Sequence, residues 1–135
     1  MCGERIQIYN YGNCRRDFTY VDDIVEGIVR VMRKAPARSK GEDGLPVPPY
    51  KVYNIGGGQP ENLLDFVQIL QEELVRARVL PQDYDFDAHK ELVPMQPGDV
   101  PVTYADASAL ERDFGFVPKS TLREGLRQFA ECVLR

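Results

Sequence analysis

A chain of 135 residues, 43% hydrophobic and 28% charged, is the size of one globular unit able to bury its own core. Its formal net charge of -4 excludes the basic excess with which nucleic-acid and membrane-surface proteins meet phosphate. No apolar run approaches the ~20 residues that span a bilayer, no signal-peptide stretch follows Met1-Cys2-Gly3-Glu4-Arg5, and Cys2, Cys14 and Cys132 are too few and scattered for a disulfide framework or zinc site, so a cytoplasmic protein with reduced thiols is expected.

The alternation in Ile6-Gln7-Ile8-Tyr9 predicts a half-buried strand with no chain before it to pair with, followed by a turn at Asn10-Tyr11-Gly12-Asn13. From Val21 onward, Ile24, Val25, Ile28 and Met32 keep helical spacing, and Asp22-Asp23 and Arg33-Lys34 suit the two ends of the helix dipole. Residues 36–50 are rich in Pro, Gly and charge and read as an exposed loop. Lys51 to Ile55 predicts a short strand running into Gly56-Gly57-Gly58, and Asn62 offers an N-cap for a helix carrying Leu63, Phe66, Val67, Leu70 and Leu74. Strand, glycine turn and helix in that order belong to an α/β protein.

Tyr84-Asp85-Phe86-Asp87 alternates like an edge strand, whereas Pro94, Pro97 and Pro101 leave Leu92 to Val102 irregular. Ser108-x-x-Glu111 and Thr121-x-x-Glu124 both have capping-box form, Gly115 stands where the first of these helices should end, and Leu122, Leu126, Phe129, Ala130 and Val133 line the second.

The segments GNCRRDFTYVDDIVEGI, YKVYNIGGGQPENLLDFV, ELVPMQPGDVPVTYAD and LERDFGFVPKSTLREGLRQFAEC resemble, in order and spacing, the C-terminal part of NAD-dependent nucleotide-sugar epimerases of the extended short-chain dehydrogenase/reductase family. PMQPGDV together with RDFTYVDDIV is closest to the UDP-glucuronate 4-epimerase branch. The resemblance implies an α/β fold, in which residues 1–135 are a small substrate-binding domain of helices and short strands whose Rossmann N-terminal part is absent. At this length a cofactor domain and a substrate domain, each of roughly 100 to 200 residues, do not both fit.

In that family the UDP of the substrate lies between the two domains, and the resemblance assigns five substrate-binding positions. Arg16 of the RDF motif would hold the diphosphate, a task that suits a guanidinium because it stays charged and can bond two oxygens at once. Phe18 and Leu63 would cover uracil and ribose, although both residue types are more often plain core. Asp99 would accept a ribose hydroxyl, the bland alternative being a turn aspartate. Gln96 stands where many relatives carry a second arginine, and Arg15 is a candidate to make up part of that lost charge.

The family's chemistry oxidises and re-reduces sugar C4 with NAD and needs a tyrosinate with a lysine four residues later. None of the seven tyrosines has lysine at that spacing, so no catalytic residue is expected here and NAD belongs to the full-length protein. Glu61 stands where a dinucleotide fingerprint after Gly56-Gly57-Gly58 requires glycine, which leaves a tight turn. Asp83 to Asp87 fails as a calcium loop at Ala88 and Pro94, Asp85-x-Asp87 is read as a polar strand face ahead of a metal pair, and the lone His89 supports neither a metal cluster nor a triad. The expected partners are a UDP-sugar, the missing Rossmann domain and, for the parent, a second copy in a homodimer. A stand-alone binding module and a fragment of a sibling dehydratase or decarboxylase are the alternatives. Cut free, the unit should bare an interface and a strand edge and so self-associate.

Overall fold

The computed structural model describes residues 5–133, so Cys2 and the opening Met1 to Glu4 lie outside the described residues. The first strand, β1 (Ile6–Ile8), takes its partner from far downstream, pairing in parallel with β6 (Lys90–Leu92) and joining Ile6 to Lys90 and Ile8 to Leu92. A 3-10 turn over Tyr9–Gly12 then reverses the chain. Asn10 and Tyr11 take φ of 51° and 52°, and at Gly12, with φ of 82°, an added Cβ would meet Leu64 Cγ at 2.6 Å. Only glycine satisfies both the left-handed backbone and that close approach.

β2 (Arg15–Arg16) runs antiparallel to β5 (Glu61–Asn62), with Arg15 opposite Asn62 and Arg16 opposite Glu61. On its other edge Arg15 bridges Val102 in parallel, its N–H donating to Pro101 O and its carbonyl accepting from Thr103 N. β2 is therefore the middle of three segments, and it is the element that presents the candidate site.

Helix α1 (Val21–Met32) and helix α2 (Leu63–Arg76) form where the sequence predicts them. The N-cap of α2 is Asn62, whose side chain accepts from Leu64 N at 2.7 Å. Helix α4 (Leu122–Cys132) opens with a complete capping box, Thr121 and Glu124 satisfying each other's free amides. Leu74 and Leu80 from the α2 side pack with Ala130 of α4 to form the main core, closed by Leu70, Val79, Tyr84 and Phe86.

Two sequence expectations, at Tyr84 to Asp87 and at Ser108, are corrected, and two, at Val52 to Ile55 and at residues 36–50, are refined. Val52 to Ile55 forms no ladder among the described residues, because β-type side chains make a strand only when a neighbouring backbone is there to bond. The segment is held instead by side chains, Tyr53 Oη donating to Asp113 at 2.8 Å and Asn54 Nδ2 to Asp106 O at 3.2 Å. Tyr84 to Asp87 is not an edge strand: Asp85 caps a 3-10 turn, Phe86–His89, and the strand is the following Lys90–Leu92. In α3 (Ser108–Phe114), Ser108 is the first helical residue rather than the cap, and Asp106 accepts its N–H at 2.9 Å. Residues 36–50 are almost wholly exposed but carry a small antiparallel ladder between β3 (Ser39–Lys40) and β4 (Pro46–Val47). Gly115 ends α3 with φ of 62°, as expected of a left-handed C-cap.

Candidate functional site

The five expected substrate residues lie on β2 or on the segments beside it. Arg16 is half-buried, and its guanidinium is fixed on three sides: one terminal nitrogen donates to Arg15 O at 3.1 Å and Pro101 O at 3.3 Å, and the other to Asp99 Oδ1 at 2.9 Å. Asp99 ends a turn in which its own N–H bonds back to Gln96 O at 3.2 Å, with Pro97 and Gly98 between them and Gly98 at φ of 85°. Pro followed by a positive-φ glycine is the sequence of a type II turn, and here it aims the Asp99 carboxylate at Arg16. Asp99 Oδ1 also accepts from Val100 N at 2.8 Å, so the acid cannot swing freely.

Phe18 stacks on Phe66 of α2, ring centroids 4.4 Å apart and planes 21° from parallel, which gives it a core contact on one face. Beside it lies an apolar cavity of about 300 Å³, bordered by Tyr20, Phe66, Leu122 and Phe129. Leu63 opens α2, its N–H donating to Cys14 O at 2.9 Å, which ties the helix start to the strand carrying Arg16. Gln96 is exposed and contributes its carbonyl to the turn. The structure thus brings Arg16 and Asp99 into direct contact and places Phe18, Leu63 and Gln96 on adjoining backbone, with no side-chain hydrogen bond to that pair among the described residues.

Arg15 is committed elsewhere. Its guanidinium donates twice to Pro60 O, at 3.1 and 2.8 Å, next to β5 and on the opposite edge of β2 from Val102.

The glycine turn is filled by its own neighbours. Asp17 Oδ2 accepts from Gly58 N at 3.2 Å and Ala105 N at 3.1 Å, and Thr19 Oγ1 accepts from Gly57 N at 3.2 Å. Amides that already serve a carboxylate and a hydroxyl do not cradle a pyrophosphate, so these residues do not fit the phosphates of NAD. Asp17 and Thr19 are the site residues that sequence reasoning missed. Their signal is the alternation Arg16-Asp17-Phe18-Thr19, in which every second residue carries an acceptor facing a glycine run.

Asp85 and Asp87 are also occupied. Asp85 caps Asp87 N at 2.8 Å, Asp87 pairs with Lys90, and no group of three or more His, Cys, Asp or Glu able to hold a metal exists among the described residues. His89 stacks on Tyr84 with ring centroids 4.8 Å apart and bonds Asp85 O through Nδ1. A second ion cluster fastens the 51–53 segment to α3, where Asp113 bonds Lys51, Tyr53 and Arg112. The hydrogen bonds from Lys51 and then Tyr53 hold the Asp113 carboxyl far below the usual carboxylate range.

With this geometry the fold matches sugar-nucleotide enzymes of the extended short-chain dehydrogenase/reductase kind. The solved structure of MoeE5 in complex with UDP-glucuronic acid and NAD superposes with a TM-score of 0.69 at 27% identity, over 98% of this chain and 38% of that one. Among curated proteins, Protein CapI of Staphylococcus aureus is 41% identical over 97% of this chain and 38% of its own length. A probable UDP-glucuronate 4-epimerase of Rhizobium meliloti is 38% identical over 96% of this chain and 37% of its own. The chain belongs to the family described as GDP-mannose 4,6 dehydratase, which matches residues 2–129. It spans well under half the length of these relatives.

Proposed function

We propose that these residues are the C-terminal, UDP-sugar-binding portion of a UDP-glucuronate/UDP-galacturonate 4-epimerase, whose complete form inverts C4 by transient NAD-dependent oxidation. The observation that carries the reading is the Arg16–Asp99 pair, a cation and an anion fixed side by side at 2.9 Å on a strand and a Pro-Gly turn. Such a pair offers a charged donor fork to a diphosphate and an acceptor to a hydroxyl in one rigid unit. Phe18 and Leu63 add the apolar wall, Gln96 a donor on the turn. The names of the Rhizobium relative and of the MoeE5 complex support UDP-glucuronate as the sugar nucleotide.

The remaining length of the complete protein supplies the NAD-binding Rossmann domain, the tyrosine base and the contacts of a homodimer. The exposed surface supports such an addition. It amounts to 9757 Å², against the roughly 7,200 Å² that scaling assigns to a compact monomer of 15.4 kDa. Apolar side chains contribute to it, with Val21, Val25, Ile28, Val29 and Met32 of α1 all exposed, as is Val52. Among the described residues no helix is long and apolar enough to cross a membrane, and a cytoplasmic setting is part of the proposal.

The test is product analysis. The complete protein, given UDP-glucuronate and NAD, should form UDP-galacturonate, and the isolated 135-residue chain should not. Turnover by the isolated chain would place the chemistry within these residues and end the reading. The family description favours one second reading, a sugar-nucleotide 4,6-dehydratase. Loss of water from a UDP-hexose substrate, with no epimer of UDP-glucuronate formed, would select it.

A further inference from the structure

The side chains that follow Arg16 turn alternately to different partners. Arg16 goes to Asp99 and Pro101, Asp17 to the amides of Gly58 and Ala105, Phe18 to the ring of Phe66, and Thr19 to the amide of Gly57. The partners of residues 16 to 19 alternate as period two requires, so contacts that fix residues 17 and 19 on one side also fix residues 16 and 18 on the other. Asp17 is the stronger of the two anchors. Its carboxylate joins two segments distant in sequence, its own N–H donates to Thr103 Oγ1 at 3.2 Å, and its Oδ1 is buried without a hydrogen-bond partner among the described residues. The glycines are cut to fit it. A Cβ at Gly56 would stand 2.7 Å from Asp17 Oδ2 and 2.4 Å from Ala105 Cβ, and one at Gly57 would stand 3.1 Å from Asp17 Oδ1.

We infer that Asp17 is a positioning residue: by clamping the Gly56–Gly58 turn and the Ala105 backbone it fixes the facing of the strand, and so holds Arg16 toward Asp99 and the diphosphate. This rests on the reading of Arg16 as the diphosphate ligand. The role is distinct from that of a group touching the nucleotide, since both amides that Asp17 binds belong to the protein. Asparagine can accept both through one oxygen and would put its NH₂ where Oδ1 now makes no bond, so shape rather than charge should matter.

The experiment compares UDP with uridine in the complete protein, by titration calorimetry on Arg16→Ala, Asp17→Ala and Asp17→Asn. Arg16→Ala sets the scale of the lost preference for UDP. Asp17→Ala should lower the UDP-over-uridine preference by about tenfold or more although Arg16 is intact, and Asp17→Asn should keep it within about threefold of the parent. A merely structural aspartate would lower the melting temperature and leave the preference of the folded molecules unchanged, and that result overturns the inference. So does a loss in Asp17→Asn as large as in Asp17→Ala. Should Asp17→Ala not fold, Gly57→Ala presses on the same carboxylate; it should reduce the preference, and an unchanged preference overturns the proposal. If Arg16→Ala itself leaves the preference intact, the diphosphate reading falls and takes this one with it. If Arg16→Ala abolishes the preference and Asp17→Ala does not, only the role of Asp17 is refuted.

Discussion

Arg16 is held in place by the protein's own groups: two backbone carbonyls and the Asp99 carboxylate account for its bonds, and all of them go to its terminal nitrogens. A guanidinium fixed in this way loses little freedom when it meets a phosphate. Lysine keeps the charge but not the planar fork, so Arg16→Lys should weaken UDP binding by roughly 1 to 2 kcal/mol, about tenfold, with uridine binding unchanged by the same titration. The contact between Arg16 and Asp99 joins two residues that the sequence singled out, each within a short motif, RDF and PGDV. Asp17 carries only the signal of the Arg16-to-Thr19 alternation, because its partners Gly58 and Ala105 lie 41 and 88 positions away and the local pattern does not name them. The place of Arg15 was illegible for the same reason, its partner Pro60 lying 45 positions on.

Among the elements, α2 and α4 are joined by an ion cluster as well as by the core. Glu73 of α2 is 2% exposed, and its carboxylate accepts from Arg123 at 2.9 Å, Arg76 at 2.8 Å and Arg127 at 3.3 Å. Burial alone would raise its pKa, but the hydrogen bonds from Arg123, Arg76 and Arg127 outweigh burial and hold it below the ordinary glutamate value. A folded-state pKa below the unfolded one contributes stability that is present above about pH 4.3 and lost as pH falls through the lowered folded value. Urea unfolding from about pH 3 to about pH 6 should therefore show a pH dependence that Glu73→Gln flattens. Glu73→Ala should cost about 1 to 3 kcal/mol at neutral pH, the arginines left behind being partly solvated. Thr121→Ala, which opens the capping box of α4, should cost about 1 kcal/mol in the same assay. The long helices were legible because apolar spacing holds over about three or four turns, reinforced by side-chain caps at the starts of α2 and α4. Two- and three-residue strands carry no such periodicity, and β2, β5 and β6 exist only because distant segments meet. Val52 to Ile55 shows the converse, a strand-like composition whose ladder has no partner among the described residues.

At the scale of the molecule, a row of large apolar side chains on α1 is exposed. Val25 is 51% exposed and Met32 79%, although both sit on the regular apolar stripe of α1 that periodicity marks as a packing face. The sequence showed that the helix has such a face; it did not show that these residues leave it bare. The isolated chain should accordingly self-associate, and Val25→Glu combined with Ile28→Lys should reduce the association seen by sedimentation. A clean monomer of the unaltered chain at high concentration would contradict this.

The proposed function depends on Arg16 binding the diphosphate of a uridine nucleotide. Titration of UDP into the complete protein and into its Arg16→Ala variant tests it most directly. Affinity should be about 10- to 100-fold lower in the variant, as expected for the loss of charge-assisted hydrogen bonds, with the fold intact. UDP bound as tightly by the variant as by the parent would contradict it.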